Sequence, residues 1–155
     1  MNAIQGFTGE YRFLSNFFLL PDYITEVYED ENTGIVQSIK FPTVEHAYQA
    51  SKYLTVDRIR LVANSRGPGE AKRQGRLYAA RSDWNRIKLD VMLYFVRKKF
   101  AMSRMKAMLL ATGDSVLWEA NTWGDVFWGV DEFLEGENHL GSILMQVRQE
   151  IQDQN

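Results

Sequence analysis

The hydrophobic rhythm of this chain changes once, at Pro42, and that change sets the fold class. Downstream of it, apolar residues recur three and four positions apart, the spacing that lines one face of an α-helix. Val44, Ala47, Tyr48 and Ser51 predict a helix over 43–53 with Thr43 as N-cap, and Thr55 or Asp57 opens a second that runs through Val62. Gly67-Pro68-Gly69 breaks the chain before a third, over 70–77. Asp83 caps the longest helix, in which Trp84, Ile87, Val91, Met92, Phe95 and Phe100 fall on one stripe; another follows over 103–111, stopped by Gly113. In the last, over 140–151, Leu140, Ile143, Leu144, Val147 and Ile151 make one apolar face. Upstream of Pro42, short apolar runs at 7–18 and 35–41 stand between turn residues and read as short strands. Glu26, Glu29, Asp30, Glu31, Asn32 and Gly34 lie between them as the solvated acidic tip of a hairpin. Residues 116–119 add one candidate strand, and 121–136 are irregular. The expected fold is α+β: a mainly helical single domain over residues 1–155 with a small β-sheet.

Composition then narrows the function. A chain of 155 residues, 45% of them hydrophobic, fills one core of ordinary domain size. Without cysteine there is no disulfide framework and no thiol nucleophile, and two histidines do not make a zinc site, so neither metal nor cofactor is expected. A net charge of −2 provides no basic field for coating a duplex, so nucleic acid is expected only as a modified substrate. No run of about 18 apolar residues marks a membrane span, and residues 1–9 lack the basic-then-apolar character of a secretory signal. A cytoplasmic location is expected; the sequence sets no oligomeric state. Aromatic residues make up 13% of the chain, and several stand in polar, glycine-rich segments where a flat ligand competes with the core for their faces.

Four clusters are more polar, glycine-rich or aromatic than a core requires. In the first, Ser15 and Asn16 precede Phe17, so that a base edge can be hydrogen-bonded while a ring stacks on it; a simple turn is the alternative. In the second, a helix capped by Thr43 places Glu45 in its first turn with Gln49 and Lys52 on the same face. The helix dipole keeps such an acid ionised, which suits activating water or facing a cation, and also suits a purely structural acid. In the third, residues 65–76, a glycine-rich turn at Gly69 leads into a helix bearing Lys72, Arg73 and Arg76, the makings of a phosphate site or of a solvated basic helix. Gly75, disfavoured inside a helix, points to close approach by another element or a ligand. In the fourth, Trp123 and Trp128 flank Asp125 in a loop that also carries Gly129 and leads to Asn138; the rings shield a functional acid or plug the core.

Taken in order, these clusters resemble the YbiA-like, or NADAR, family over nearly the whole chain. The carrying residues are 9–17, 41–52, 71–76, Asp83-Trp84, 109–114, Asp125 with Trp128-Gly129, and Asn138-His139-Leu140-Gly141 leading to Leu144, Met145 and Arg148. The acidic turn and Arg66-Gly67 depart from the commoner pattern. The resemblance implies a YbiA-like fold and N-glycosidase chemistry on a nucleotide-like small molecule or an ADP-ribosylated substrate. The bond cut is that of a phosphoribosylaminouracil intermediate of riboflavin synthesis, or of ADP-ribose on guanine in DNA. It places the catalytic residues at Glu45, Trp84 and Asp125, although Trp84 also opens an apolar stripe. Substrate contacts are then expected from Ser15, Asn16, Phe17, Gln49, Lys52, Gly69, Lys72, Arg76, Trp128, Gly129 and Asn138. By analogy with glycoside hydrolysis, one carboxylate orients water or stabilises the sugar cation while a second acidic group assists departure of the base, Asp125 being expected across the scissile bond from Glu45. A module that binds ADP-ribose without cutting it is the rival reading, and a protein-interaction domain a third, which explains the basic turn poorly.

Overall fold

The computed structural model describes residues 2–155 and divides them into two units, each with its own short pair of strands. One unit is Leu19–Phe95. Its antiparallel hairpin joins β2 (Ile24–Glu29) to β3 (Val36–Phe41), and its register runs from Ile24 opposite Phe41 to Glu29 opposite Val36. Strand alternation buries Ile24, Ile39 and Phe41 and turns Val27 outward. The tip is an Asp30 turn: Asp30 Oδ1 accepts the N–H groups of Asn32 (2.9 Å) and Thr33 (3.0 Å), and these bonds hold its carboxyl below the usual range.

Directly after β3 come α1 (Val44–Ala50), α2 (Val56–Ala63) and α3 (Pro68–Gln74). Thr43 caps α1 as its sequence predicts, its Oγ1 accepting the His46 N–H at 3.1 Å. Every residue of α1 is buried, polar ones included. His46 ties the helix to the loop ahead of α3, with Nε2 3.1 Å from Ser65 O and Nδ1 2.7 Å from Thr43 Oγ1. Burial holds its imidazole below the ordinary histidine range, consistent with a neutral ring that donates from Nε2 and accepts at Nδ1. This is a packing and capping role.

The other unit comprises the residues up to Phe18 together with Val96–Asn155. Here β1 (Ala3–Gln5) pairs in parallel with β4 (Val116–Trp118), and Ile4 lies opposite Leu117. The helix α4 (Trp84–Ala101) enters this unit at Val96, and α5 (Ser103–Leu110) and α6 (His139–Asp153) complete it. The predicted face of α6 is buried at Leu140, Ile143, Leu144, Val147 and Ile151. Arg148, also buried, donates to Thr112 Oγ1 (2.8 Å) and Ser115 O (2.9 Å) and so fixes the turn between α5 and β4.

The α+β, mainly helical class holds, with three differences. Residues 7–18 are not strands: Gly9–Leu14 is a 3₁₀ helix, entered through Gly9 at φ +56°, that buries Phe13 and Leu14 side by side instead of in alternation. Glu26 and Glu29 belong to β2, so the acidic turn is confined to 30–34. The expected single sheet is two separate two-stranded ones. No described helix is long and apolar enough to cross a membrane.

Candidate active site

Within Leu19–Phe95 the first turn of α1 carries Glu45, 7% exposed, and one turn later Gln49, 4% exposed. Spacing of four puts the two side chains together, and Gln49 Nε2 donates to Glu45 Oε1 at 2.9 Å. Above Gln49 lies Gly75, which is the C-cap of α3 and not part of its interior. Its backbone (φ −68°, ψ −5°) suits any residue, but a Cβ built there would stand 1.9 Å from Gln49 Oε1. Gly75 is required by the neighbour it admits. The close approach that its sequence position implied is made by Gln49.

Lys52, just past α1, donates from Nζ to Gly75 O at 3.2 Å and lies 6.0 Å from the centre of the Tyr48 ring. Burial pulls its amine below the ordinary lysine range; Glu45 opposes this, while Arg76, Lys72 and Lys88 add to it. Lys52 thus stands between one buried acid and three further cations. Tyr48 also meets Trp84 at 5.0 Å between centroids, tilted by 57°, and Trp84 is 8% exposed. The segment after α3 is pinned from below. Arg58 Nη2 donates to Gln74 O at 2.7 Å and stacks on Tyr53 and Tyr78, and the Tyr53 hydroxyl lies 3.2 Å from the carbonyl oxygens of both Gln74 and Tyr78. This unit therefore brings together Glu45, Gln49, Lys52, Lys72, Arg76 and Trp84. Gly69 stands at the far end of α3, where an added Cβ would meet nothing within 4 Å. There Glu70 Oε2 accepts the Arg66 N–H at 3.2 Å, tying the first turn of α3 to the residue before its cap.

The second unit holds the remaining sequence candidates. Ser15 Oγ accepts the Phe17 N–H at 3.1 Å, closing a turn that leaves Phe17 exposed and Asn16 half-buried. Ser15 O accepts from Lys99 Nζ at 2.9 Å. Lys99 is 1% exposed, and burial pushes its amine down to about 7 against the opposing pull of Glu119. In the loop that follows β4, Asp125 Oδ1 accepts the Trp128 N–H at 2.9 Å, while Asn121 both accepts the Asp125 N–H (3.0 Å) and donates to Asp125 O (2.8 Å). Asp125 and Trp128 are half-buried, and the Trp128 ring packs edge-on against Phe127 at 4.9 Å. Gly129 leaves no room for a side chain, since a Cβ would come within 2.0 Å of Glu119 O. Asn138, buried at φ +51°, spends its amide on the main chain of β4 and beyond: Nδ2 donates to Leu117 O (3.0 Å) and Oδ1 accepts the Glu119 N–H (2.9 Å).

Sequence reasoning passed over Lys88 and Lys99. Lys88 is one turn beyond Trp84 on α4, a spacing that places both on one side. Lys99 continues the buried positions 92, 95 and 96 by the same periodicity, and its charge masked a core position.

A model of the NADAR domain matches residues 6–152, and the chain belongs to that family. A chloroplastic riboflavin biosynthesis protein, PYRR, from Zea mays is 40% identical over 124 residues, covering 72% of this chain; the chain spans only 20% of that protein's length. An N-glycosidase from Nostoc punctiforme is 39% identical over 124 residues, covering 76% of this chain and 79% of its own. The NMR structure of the Escherichia coli protein YbiA superposes with a TM-score of 0.78 at 30% identity, covering 99% of this chain and 88% of that one.

Proposed function

We propose that this chain is an N-glycosidase that hydrolyses the bond between C1′ of a phosphate-bearing ribose and the nitrogen of a base or base-like amine. One observation carries the reading: Glu45, almost removed from water and oriented by Gln49, attracts the Lys52 amine, which in turn feels the charges of Lys72, Arg76 and Lys88. A carboxylate in such surroundings interacts with a developing sugar cation more strongly than it would in water. The cations suit the phosphate of the same molecule, while the Tyr48 and Trp84 rings, both buried, pack against each other. In the reaction a water oxygen bonds to C1′ as the C1′–N bond breaks. Glu45 takes one proton from that water, the departing nitrogen takes one from solvent, and Glu45 returns its own to solvent, so that one water is consumed and free base and free sugar result. Asp125, the other acid to which the family resemblance points, is assigned the assisting role.

The substrate class we assign is a phosphoribosylaminouracil, in keeping with the name of the Zea mays relative; ADP-ribose on guanine in DNA bears the same ribose–nitrogen bond. Incubation with each compound, followed by mass spectrometry for free base and sugar, tests the reading. Release of base from either one supports an N-glycosidase, and Glu45→Gln is expected to abolish it with binding retained, because the amide keeps shape but is neither base nor anion. Tight binding of both without release would make the chain a binding module instead.

A further inference from the structure

The Gln49–Gly75 contact does more than pack two helices. Four facts converge on it. Gly75 has an ordinary right-handed backbone, so no turn requires glycine there. A Cβ would meet Gln49 at Oε1 (1.9 Å), Cδ (2.8 Å) and its own Cβ (3.2 Å), so the whole side chain of Gln49 fills the space that glycine leaves. The amide so housed points its Nε2 at Glu45 Oε1, 2.9 Å away. Its Oε1 is buried against Gly75 and accepts no hydrogen bond from the described residues, so Gly75 receives the amide by shape and not by a bond.

We infer that Gly75 is a notch that seats Gln49, and that Gln49 is a positioning residue for Glu45 and does not contact substrate. The inference rests on the glycosidase reading above. The donated hydrogen bond holds Oε1 of Glu45 and so restrains the carboxylate's rotamer. Lys52 reinforces the seat by binding the carbonyl of the same glycine. A misplacement of the acid by about 1 Å is enough to cost about a hundredfold in rate.

The test is a cycle of Gly75→Ala, Gln49→Ala and the double variant, read by thermal midpoint and by kcat and KM on the phosphoribosylaminouracil substrate, or on the ADP-ribosylated guanine oligonucleotide if that is the compound turned over. Each single variant is expected to lower kcat about a hundredfold with little change in KM, and Gly75→Ala also to lower Tm. In the double variant the new methyl group occupies space that the glutamine has vacated. Its Tm is expected to recover to that of Gln49→Ala or above, while kcat stays at the single-variant level, because both substitutions remove the same hydrogen bond. A Gln49→Ala variant with raised KM and unchanged kcat would make Gln49 a substrate contact and overturn the inference. So would wild-type kcat in Gly75→Ala, or a double variant in which rate recovers together with Tm. If Gly75→Ala fails to fold, Gln49→Ala and the double variant decide alone. Glu45→Gln run alongside separates the two levels: near-normal turnover there removes Glu45 from the reaction and the positioning role with it, whereas the notch stands or falls on the Tm cycle.

Discussion

Lys99→Met probes the least expected group in the structure, an amine 1% exposed whose burial brings it to about 7. The gap between an ordinary lysine at 10.5 and that value corresponds to about 5 kcal/mol, an upper bound on what burying the cation takes from stability. Below about pH 7 the amine is protonated in both folded and unfolded chains, and the whole penalty is present. Between about 7 and 10.5 the folded chain releases the proton that the unfolded chain keeps, so stability rises with pH by up to about 1.4 kcal/mol per pH unit. Over two pH units that is about 2–3 kcal/mol, or about 5–10 °C in Tm for a chain of this size. Methionine has a similar stem and no charge. Ser15 O keeps the Phe18 N–H at 3.2 Å, so the loop retains one anchor. Glu119, the acid whose charge opposes the shift, faces no cation in the methionine variant, as it faces none in the wild type once Lys99 has released its proton, and its pull is already contained in the value of about 7. Tm measured from pH 6 to 10 should therefore favour the methionine variant most at the acid end, with the advantage shrinking steadily as the pH rises. A difference that stays constant across the range would refute a depressed Lys99.

Further outcomes follow from the site. Lys72→Ala and Arg76→Ala should weaken a phosphorylated ligand at least tenfold more than its dephosphorylated analogue, measured by calorimetry; equal losses would give these residues to the fold. Asp125→Asn should keep Tm within about 2 °C, since the amide oxygen can still accept the Trp128 N–H, while single-turnover rates fall by orders of magnitude; an unchanged rate would remove Asp125 from the chemistry. Trp128→Ala should lower both stability, by about 2–3 kcal/mol in urea titration, and rate, because its ring packs against Phe127 at 4.9 Å; loss of neither would leave the ring without a role.

The parts of the molecule that sequence made legible are those where one physical cause dominates. The α6 stripe from Leu140 to Ile151 is a helix facing a core, and Thr43 before Val44 is a cap with a donor to satisfy. Strand β2 was hidden because Ile24 and Val27 point to opposite faces, so that no alternation separates apolar from polar. The 3₁₀ segment was misread because Phe13 and Leu14, adjacent in sequence, are both buried, which neither a strand nor a long helix predicts. At the site, the i, i+4 relation of Glu45 and Gln49 was visible in the spacing, and Gly75 announced a close neighbour without naming it. Lys99 was not legible: position along a helix stripe says inside, charge says outside, and only tertiary contacts decide between them.

The pairing of β1 with β4 bears on how the chain reaches its native state. Ala3 and Val116 are partners separated by 113 residues (116 − 3). Closing so long a flexible loop costs about 4 kcal/mol beyond a constant, and a three-residue strand returns few hydrogen bonds against it. On a ribosome the first strand emerges long before its partner exists, and all of Leu19–Phe95, a unit interrupting the other in sequence, is synthesised in the interval. The half that holds Glu45 can thus be complete while the half that holds Asp125 still waits for its closing strand, and residues 3–5, made before that whole unit, are among the last to find their place.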